Sequence, residues 1–233
     1  ATLFTCGISG TYVAFLRSAC GEAFDLTHAM QCMTGGFRTM LHNELLHLYY
    51  CLFKEAGLPG VEKEPPLIEL TGEKLKYKTG NTQPGARSDI SVMDFWTKGR
   101  RAFFDITAFS LWARSYFNKT PDAAFRAAEN RKERQYGNRI REVEHADFTP
   151  LVFSTSGGMG RLATTVTTRL VELLTLKSNV PFSVMMGWVR ARISFAILRS
   201  VIRCLRGTRV SRVKDFVAAN AELAASETHC DRY

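Results

Sequence analysis

The chain has 233 residues, of which 45% are apolar, so its length and composition suffice for one α/β domain with a small appended module and exclude wholesale disorder. Lysine and arginine outnumber aspartate and glutamate by 31 to 22, a formal net charge of +9. A domain this basic favours a polyanionic partner, most commonly nucleic acid, and a merely basic surface is the alternative.

The sequence shows no signal peptide and no apolar run of membrane-spanning length, which predicts a nuclear or cytoplasmic protein without a membrane partner. Its six cysteines are too scattered for a disulfide scaffold. Cys51, Cys204 and Cys230 have no pairing pattern, and this favours a reducing compartment.

Hydrophobic periodicity and turn residues predict the elements in chain order. These are a helix over about 37–56, a weak edge strand within 61–70, strands over about 87–93 and 101–109, a helix over about 121–145, a strand over 149–154, and helices over about 161–177 and 182–205. This order predicts an α/β domain over 37–210, with a small cysteine- and histidine-bearing module over 1–36 before it and a polar tail over 211–233.

An acidic residue lies within the apolar face of the first predicted helix. Phe37, Leu41, Leu48 and Leu52 recur on one face, and Glu44 falls between them. A carboxylate on a buried face needs a partner, a shifted pKa or a metal ion.

The helix predicted to begin near residue 121 has the same anomaly with opposite charge. Lys132 and Tyr136 lie in the middle of the apolar face that Ala128 and Ile140 delimit. A lysine that extends its ammonium group to solvent is the alternative to a buried functional lysine.

Two aspartates are predicted to lie on neighbouring strands. The run from Ala102 to Phe109 is apolar on both faces, which predicts a central strand, and Asp105 and Thr107 fall on one side of it. Asp89 lies near the start of the preceding strand. Two such carboxylates can share a Mg²⁺ or Mn²⁺ ion together with a substrate phosphate. The alternative for Asp89 is a residue that merely ends a turn.

These residues form a recognisable pattern. Asp89, followed by Asp105-Ile106-Thr107 on the next strand, resembles the D…(D/E)-x-K signature of restriction-endonuclease-like nucleases. The predicted order of helix, three strands, helix and strand is similar to the common core of that superfamily. Glu44 matches an acid that many members carry on the first helix.

The sequence departs from the signature at Thr107, where most members have lysine. Some branches carry the lysine on the following helix instead, and Lys132 is placed for that role. Lys132-x-x-x-Tyr136 is also similar to a Gln-x-x-x-Tyr pattern of such nucleases. The resemblance implies hydrolysis of DNA phosphodiester bonds, with Lys132 orienting the attacking water, Tyr136 supporting it and Thr107 bonding within the site. The implied metal ligands are Asp89, Asp105 and Glu44.

A more specific resemblance rests on several stretches of the sequence. These are Cys20-Gly21-Glu22-Ala23-Phe24, His28, Cys32, Gly35-Gly36-Phe37, His42-Asn43-Glu44, 101–107, 148–155 and 186–192. They resemble the endonuclease-like domains that end certain retroelement polyproteins of animals and algae. This resemblance implies DNA or an RNA–DNA hybrid as substrate and a reverse transcriptase or larger assembly as partner.

The amino-terminal cysteines have the spacing of half a zinc knuckle. Cys20, His28 and Cys32 follow a Cys-x7-His-x3-Cys pattern, and Ser18 stands where relatives have a first cysteine. A structural Zn²⁺ ion needs four ligands, so Cys6 is the candidate for the last one. Unligated thiols in a small packed module are the alternative.

Arginines on one face of the last predicted helix form a candidate nucleic-acid track. Arg192, Arg199, Arg203 and Arg206 share this face, which predicts phosphate contacts, with a solvated basic face as the alternative. The amides of the loop 156–160 precede a helix and could bind phosphate. The loop matches no nucleotide-binding motif, so a plain strand-to-helix turn is favoured.

The sequence therefore predicts a metal-dependent DNA endonuclease of retroelement type. The alternative is an inactive nuclease fold retained as a nucleic-acid-binding or assembly module. Thr107 and Ser18 favour this alternative, and the intact set of Glu44, Asp89, Asp105 and Lys132 argues against it.

Overall fold

The computed structural model describes residues 26–32, 37–70 and 81–206. It confirms a mixed α/β architecture in which the long elements begin and end close to their predicted bounds. The elements are α1 (Leu26–Gln31), α2 (Phe37–Glu55), β1 (Glu62–Lys63), β2 (Ile90–Met93), β3 (Arg101–Phe109), α3 (Pro121–Lys132), a π-helical turn (Glu133–Gly137), α4 (Asn138–Glu142), β4 (Asp147–Ser154), α5 (Arg161–Ser178) and α6 (Phe182–Arg206).

The four strands form one mixed sheet in the order β1-β2-β3-β4. β1 pairs with β2 and β2 with β3 in antiparallel fashion, whereas β3 and β4 run parallel. The predicted weak strand within 61–70 is thus the edge strand β1. The predicted central strand is β3, which is paired on both sides and is mostly buried.

The two faces of β3 contact different parts of the molecule. Ala102, Phe104 and Ile106 pack into the main core, which α2, α5 and α6 cover. Phe103 and Phe109 point to the opposite face, where they belong to two separate apolar clusters with residues of α3 and α4. Because side chains alternate along a strand, Asp105 and Thr107 lie between those two clusters. The fold therefore places the polar residues of β3 in a gap in its apolar cover.

Before the first residue of β2, side chains instead of backbone groups form the hydrogen bonds to β3. The ladder stops at the pair Ile90 and Phe104. Beyond it, Ser88 Oγ donates to the Phe104 carbonyl oxygen at 3.0 Å, and Asp89 Oδ2 accepts from the Ile106 amide at 2.5 Å. These side chains satisfy backbone groups that a longer β2 would have paired, which is why β2 begins later than predicted.

The helix predicted over 121–145 is interrupted. α3 begins with Thr120, whose hydroxyl accepts from the Ala123 amide, and with Pro121 in its first turn. After Lys132 the chain makes the π-helical turn and continues as α4. Glu133 and Arg141 form an ion pair beside Gly137, where a Cβ atom would collide with the Glu133 carboxylate.

Arg139 of α4, which follows the π-helical turn, binds backbone carbonyl groups of two other segments of the chain. Arg139 is completely buried, and its guanidinium donates to the carbonyl oxygens of Ile68, Asn81 and Gln83 at 2.8–3.3 Å. Burial lowers the pKa of Arg139, and the carboxylate of Glu144 opposes that shift. Arg139 thereby joins α4 to the backbone at residue 68 and at residues 81 and 83.

The loop 156–160 is a plain strand-to-helix turn, as favoured from the sequence. The amides of Gly157, Gly158 and Gly160 bond to Ser154 and Val152 within the same turn. The first turn of α5 is already capped by a buried carboxylate, because the Leu162 amide donates to Glu129 Oε1 at 3.0 Å. These amides are therefore not available to a phosphate.

Within the described ranges, none of the helices is long and apolar enough to cross a membrane.

Candidate active site

Asp89 and Asp105 lie next to each other at the end of the β2–β3 ladder. Continuing the register by one residue past Ile90 and Phe104 puts Asp89 opposite Asp105. The Asp89 carboxylate is held in place by the Ile106 amide, which belongs to the residue directly after Asp105. The structure therefore brings together the two carboxylates that the sequence placed on neighbouring strands.

Lys132 reaches Asp105 from α3, the helix on which the resemblance implied a displaced lysine. Its Nζ lies 2.8 Å from Asp105 Oδ2, and the two side chains are 19% and 4% exposed. The same Oδ2 atom is buried, and Lys132 is the cationic partner that it contacts. Because a carboxylate offers about four lone-pair sites, Asp105 retains capacity to bind a cation beside Lys132.

The charges around Asp105 oppose one another. Burial and the neighbouring Asp89 charge raise the pKa of Asp105, whereas Lys132 and His42 lower it, and the result is a pKa of about 6. Two carboxylates held this close repel each other, and a divalent cation between them would relieve that repulsion.

His42 is a member of the site that sequence reasoning did not assign. Its Nδ1 lies 3.2 Å from the Ile106 carbonyl oxygen, which can only accept, so Nδ1 carries the hydrogen. Its Nε2 lies 3.4 Å from Asp89 Oδ1. Burial lowers the pKa of His42, but Asp89, Asp105 and the Ile106 carbonyl together raise it above its ordinary value. The available signal was its position in α2, two residues before Glu44.

Tyr136 borders the site beyond Lys132. The Lys132 ammonium lies 5.5 Å from the centre of the Tyr136 ring, a weak cation–π contact. Burial and the charges of Asp105 and Asp89 raise the pKa of the Tyr136 hydroxyl, while Lys132 and a hydrogen bond with Asn81 lower it. Tyr136 thus lies where the resemblance implied, beside the lysine.

Thr107 does not bond within the site, contrary to the expectation from the resemblance. Its hydroxyl is buried and has no hydrogen-bond partner among the described residues. Thr107 lies on the same face of β3 as Asp105, and its side chain lines a cavity together with Phe109 and Tyr116.

Glu44 does not join the two aspartates, so the prediction of three converging carboxylates is wrong. Its oxygens lie 2.6 Å from Arg203 Nη1 and 3.5 Å from Arg199 Nη1. Glu44 is buried among side chains of α6, and the two arginines supply the partner that a buried carboxylate needs. The apolar stripe correctly marked Glu44 as unusual but could not distinguish an ion pair from a metal ligand.

The same contacts correct the predicted arginine track. Arg192 makes a bidentate ion pair with Glu55 at 2.7 and 3.0 Å, and Arg199 and Arg203 bind Glu44. Arg192 and Arg203 thus pack α6 against α2 through ion pairs, whereas Arg199 is 55% exposed and shares the Glu44 carboxylate with Arg203. The side chain of Arg206 lies outside the described part of the chain.

Only two of the four predicted zinc ligands lie among the described residues. Cys6 and Cys20 lie outside it, and His28 and Cys32 lie in and directly after α1, with Cys32 buried. Zinc at these residues stays a prediction.

The donor set available for a cation consists of two carboxylates. In residues 26–32, 37–70 and 81–206, no group of three or more histidine, cysteine, aspartate or glutamate side chains is arranged to hold a metal ion. Mg²⁺ does not require such a cage, because it retains several waters and binds one or two carboxylates plus substrate phosphate. The neighbouring carboxylates of Asp89 and Asp105 fit that mode of binding.

No protein-family model and no curated protein matches this sequence. The residues and their geometry therefore carry the functional argument.

Proposed function

We propose that this chain is a Mg²⁺-dependent endonuclease that hydrolyses DNA phosphodiester bonds. The observation that carries the proposal is the buried ion pair between Lys132 and Asp105 beside a second carboxylate, Asp89. An acid pair with one lysine at the end of the β2–β3 ladder is the minimum set for acting on a phosphodiester: two hard ligands for a cation and one positive charge for a phosphate.

The order of elements supports a restriction-endonuclease-like core. A helix, α2, precedes β1, β2 and β3, and α3 with α4 connects β3 to the parallel strand β4. This order matches the core to which the sequence is similar, and it brings Asp89, Asp105 and Lys132 to one place. A retroelement origin, a nuclear location and a reverse transcriptase partner rest on the sequence resemblance alone.

Each residue has a defined part in the proposed reaction. Asp89 and Asp105 would hold Mg²⁺, which when bound supplies electrostatic activation of the phosphate and of a water molecule. Lys132 donates to the attacking water or a non-bridging phosphate oxygen and stabilises the developing negative charge. The water oxygen forms a bond to phosphorus and gives up one proton to solvent, the bond from phosphorus to the leaving oxygen breaks, and that oxygen takes up a proton from solvent. His42 positions Asp89 by bridging it to the Ile106 carbonyl group.

A second function is supported by separate observations. Glu44 is paired with Arg203, and Thr107 stands where most nucleases of this type have a lysine on the strand. His42 already contacts one oxygen of Asp89. Each of these features fits an inactive nuclease fold that binds nucleic acid or serves in an assembly.

A cleavage assay separates the two functions. Purified protein is incubated with supercoiled and linear DNA in Mg²⁺, in Mn²⁺ and in chelator, and binding to the same DNA is measured in parallel. The proposal expects nicking or cleavage that requires metal and is lost in Asp105→Asn. Asp122→Asn is the matched control, because Asp122 is an exposed aspartate in the first turn of α3.

Cleavage that survives Asp105→Asn would contradict the assignment of the site. DNA binding without cleavage in either metal would favour the inactive module. Neither binding nor cleavage would reject both functions.

A further inference from the structure

A cavity of about 250 Å³ lies beside the candidate active site. Its wall includes Thr107 and Phe109 from β3, Leu41 from α2, Tyr116 from the segment before α3, Gln31 from α1 and Arg131 from α3. Thr107 lies two residues after Asp105 on the same face of β3, and Arg131 directly precedes Lys132. Residues of β3 and α3 therefore contribute both to the cavity and to the candidate active site.

Two polar atoms in the cavity wall have no partner. Thr107 Oγ1 and Gln31 Nε2 are buried and make no hydrogen bond in the described structure. Buried polar groups nearly always have a partner, so two exceptions that line one cavity indicate that something polar occupies it. A hydroxyl and an amide together offer both donors and acceptors, as the edge of a heterocycle requires.

The remaining wall is apolar and aromatic. Phe109 and Tyr116 are in contact, with ring centres 4.7 Å apart, and Leu41 is buried beside them. The volume lies below the roughly 300–1,000 Å³ of sites for drug-sized molecules, so the occupant is limited to one small ring system. Arg131 adds a positive charge at the side of the cavity that leads to Lys132.

We propose that this cavity binds one unpaired nucleobase of the nucleic-acid substrate, next to the phosphate on which the site acts. Thr107 and Gln31 bond to the polar edge of the base, and Phe109 and Tyr116 form the apolar side of the pocket. The inference rests on the proposed function, and it adds that the substrate presents an unstacked base, either in a single strand or extruded from a duplex. It also gives Thr107, which stands where a lysine is usual, a role in recognition.

The test uses the full chain carrying Asp105→Asn, so that DNA is bound without being cut. Single-stranded oligonucleotides carry the fluorescent base 2-aminopurine, or an abasic residue, at one position at a time. The proposal expects one position at which the fluorescence changes on binding and at which the abasic residue weakens binding about 5- to 100-fold, in line with stacking of one base on aromatic side chains. Adding Thr107→Val removes both effects, whereas adding Thr165→Val at an exposed threonine of α5 leaves them unchanged.

The outcomes distinguish the pocket from the nuclease. If the wild type cuts and the Asp105→Asn protein binds, but no position differs from the others, the cavity holds only water and the pocket is rejected while the nuclease stands. If a single position responds but Thr107→Val changes nothing, the base binds elsewhere and the pocket is again rejected. If no oligonucleotide binds and the wild type cuts nothing, the proposed function fails and the pocket fails with it.

Discussion

Lys132 and Asp105 form an ion pair of 2.8 Å across the gap between two apolar clusters, one on each side of them along β3. Neither side chain is free to move far, because one is rooted at the end of α3 and the other in the central strand. This arrangement gives the first prediction.

Replacing Lys132 by Met keeps the apolar stem and removes the charge. We expect Lys132→Met to fold and to bind DNA but to cut it orders of magnitude more slowly, since a contact made in the transition state is lost. Single-turnover cleavage rates measure this, and Lys119→Met, at an exposed lysine, is the control. A wild-type rate in Lys132→Met together with an inactive Asp105→Asn variant would show that the lysine assignment is wrong and only the acid pair matters.

The pKa of Asp105 predicts a pH dependence of folding. Its pKa rises from 3.8 to about 6 on folding, so the folded state binds this proton more tightly than the unfolded chain. Stability from this group is therefore highest at low pH and declines as the pH rises from about 4 to about 6, by on the order of 2 kcal/mol. We expect the free energy of unfolding of wild type, relative to Asp105→Asn, to fall over that range in metal-free buffer.

Chemical denaturation at several pH values measures this difference. A difference between wild type and Asp105→Asn that stays constant from pH 4 to pH 7 would contradict the raised pKa. Added Mg²⁺ should reduce the decline in wild type only, because a bound cation stabilises the charged form of Asp105.

His42 should titrate above its ordinary value of 6.5. A histidine whose pKa is raised on folding stabilises the protein fully below its unfolded pKa, and that stability is lost as the pH rises through the folded pKa. We expect NMR titration of metal-free protein to show a raised pKa that falls in Asp89→Asn, because Asp89 supplies the hydrogen bond and the nearest negative charge. The same substitution at the exposed Asp122 should have no effect on it. An unchanged pKa of His42 in Asp89→Asn would remove His42 from the site.

Glu44 should matter for stability and not for metal binding. Glu44→Gln weakens the ion pairs with Arg199 and Arg203 and leaves a largely buried arginine without its counter-charge, at a cost of about 1–3 kcal/mol. Thermal unfolding and calorimetric titration with Mn²⁺ measure the two effects, with Glu172→Gln on the exposed face of α5 as the control. Loss of metal affinity in Glu44→Gln would restore Glu44 as a ligand.

The sequence was sufficient to predict the elements and two of the site's contacts. The apolar run around Asp105 identified the central strand, because only a strand buried on both faces reads that way. The position of Lys132 within an apolar face predicted a carboxylate partner, since a buried lysine needs a negative charge, but it left open whether that partner is Asp105 or Glu44.

The remaining contacts depend on tertiary structure that no spacing encodes. Glu44 and Arg203 are 159 residues apart, and periodicity cannot show that α6 crosses α2 at that point. His42 was missed for a similar reason, because it bonds to the backbone of Ile106, and any residue type can present a carbonyl oxygen. Thr107 was assigned to the site by its place in a signature, whereas its surroundings are the cavity wall.

The π-helical turn determines how the side chains of α4 are rotated about the helix axis relative to those of α3. Upstream of it Lys132 faces Asp105, and downstream Arg139 and Ile140 face the buried carbonyl groups and the apolar cluster around Phe103. Each residue of an α-helix advances the chain by about 100°. Removing one residue from 133–137 would rotate one end against the other by roughly that angle, so Lys132 and Arg139 could not both keep their partners. The number of residues between Lys132 and Arg139 is thus as much a requirement of the site as their chemistry, and single-residue deletions there should be tolerated less well than substitutions at exposed positions of the same turn.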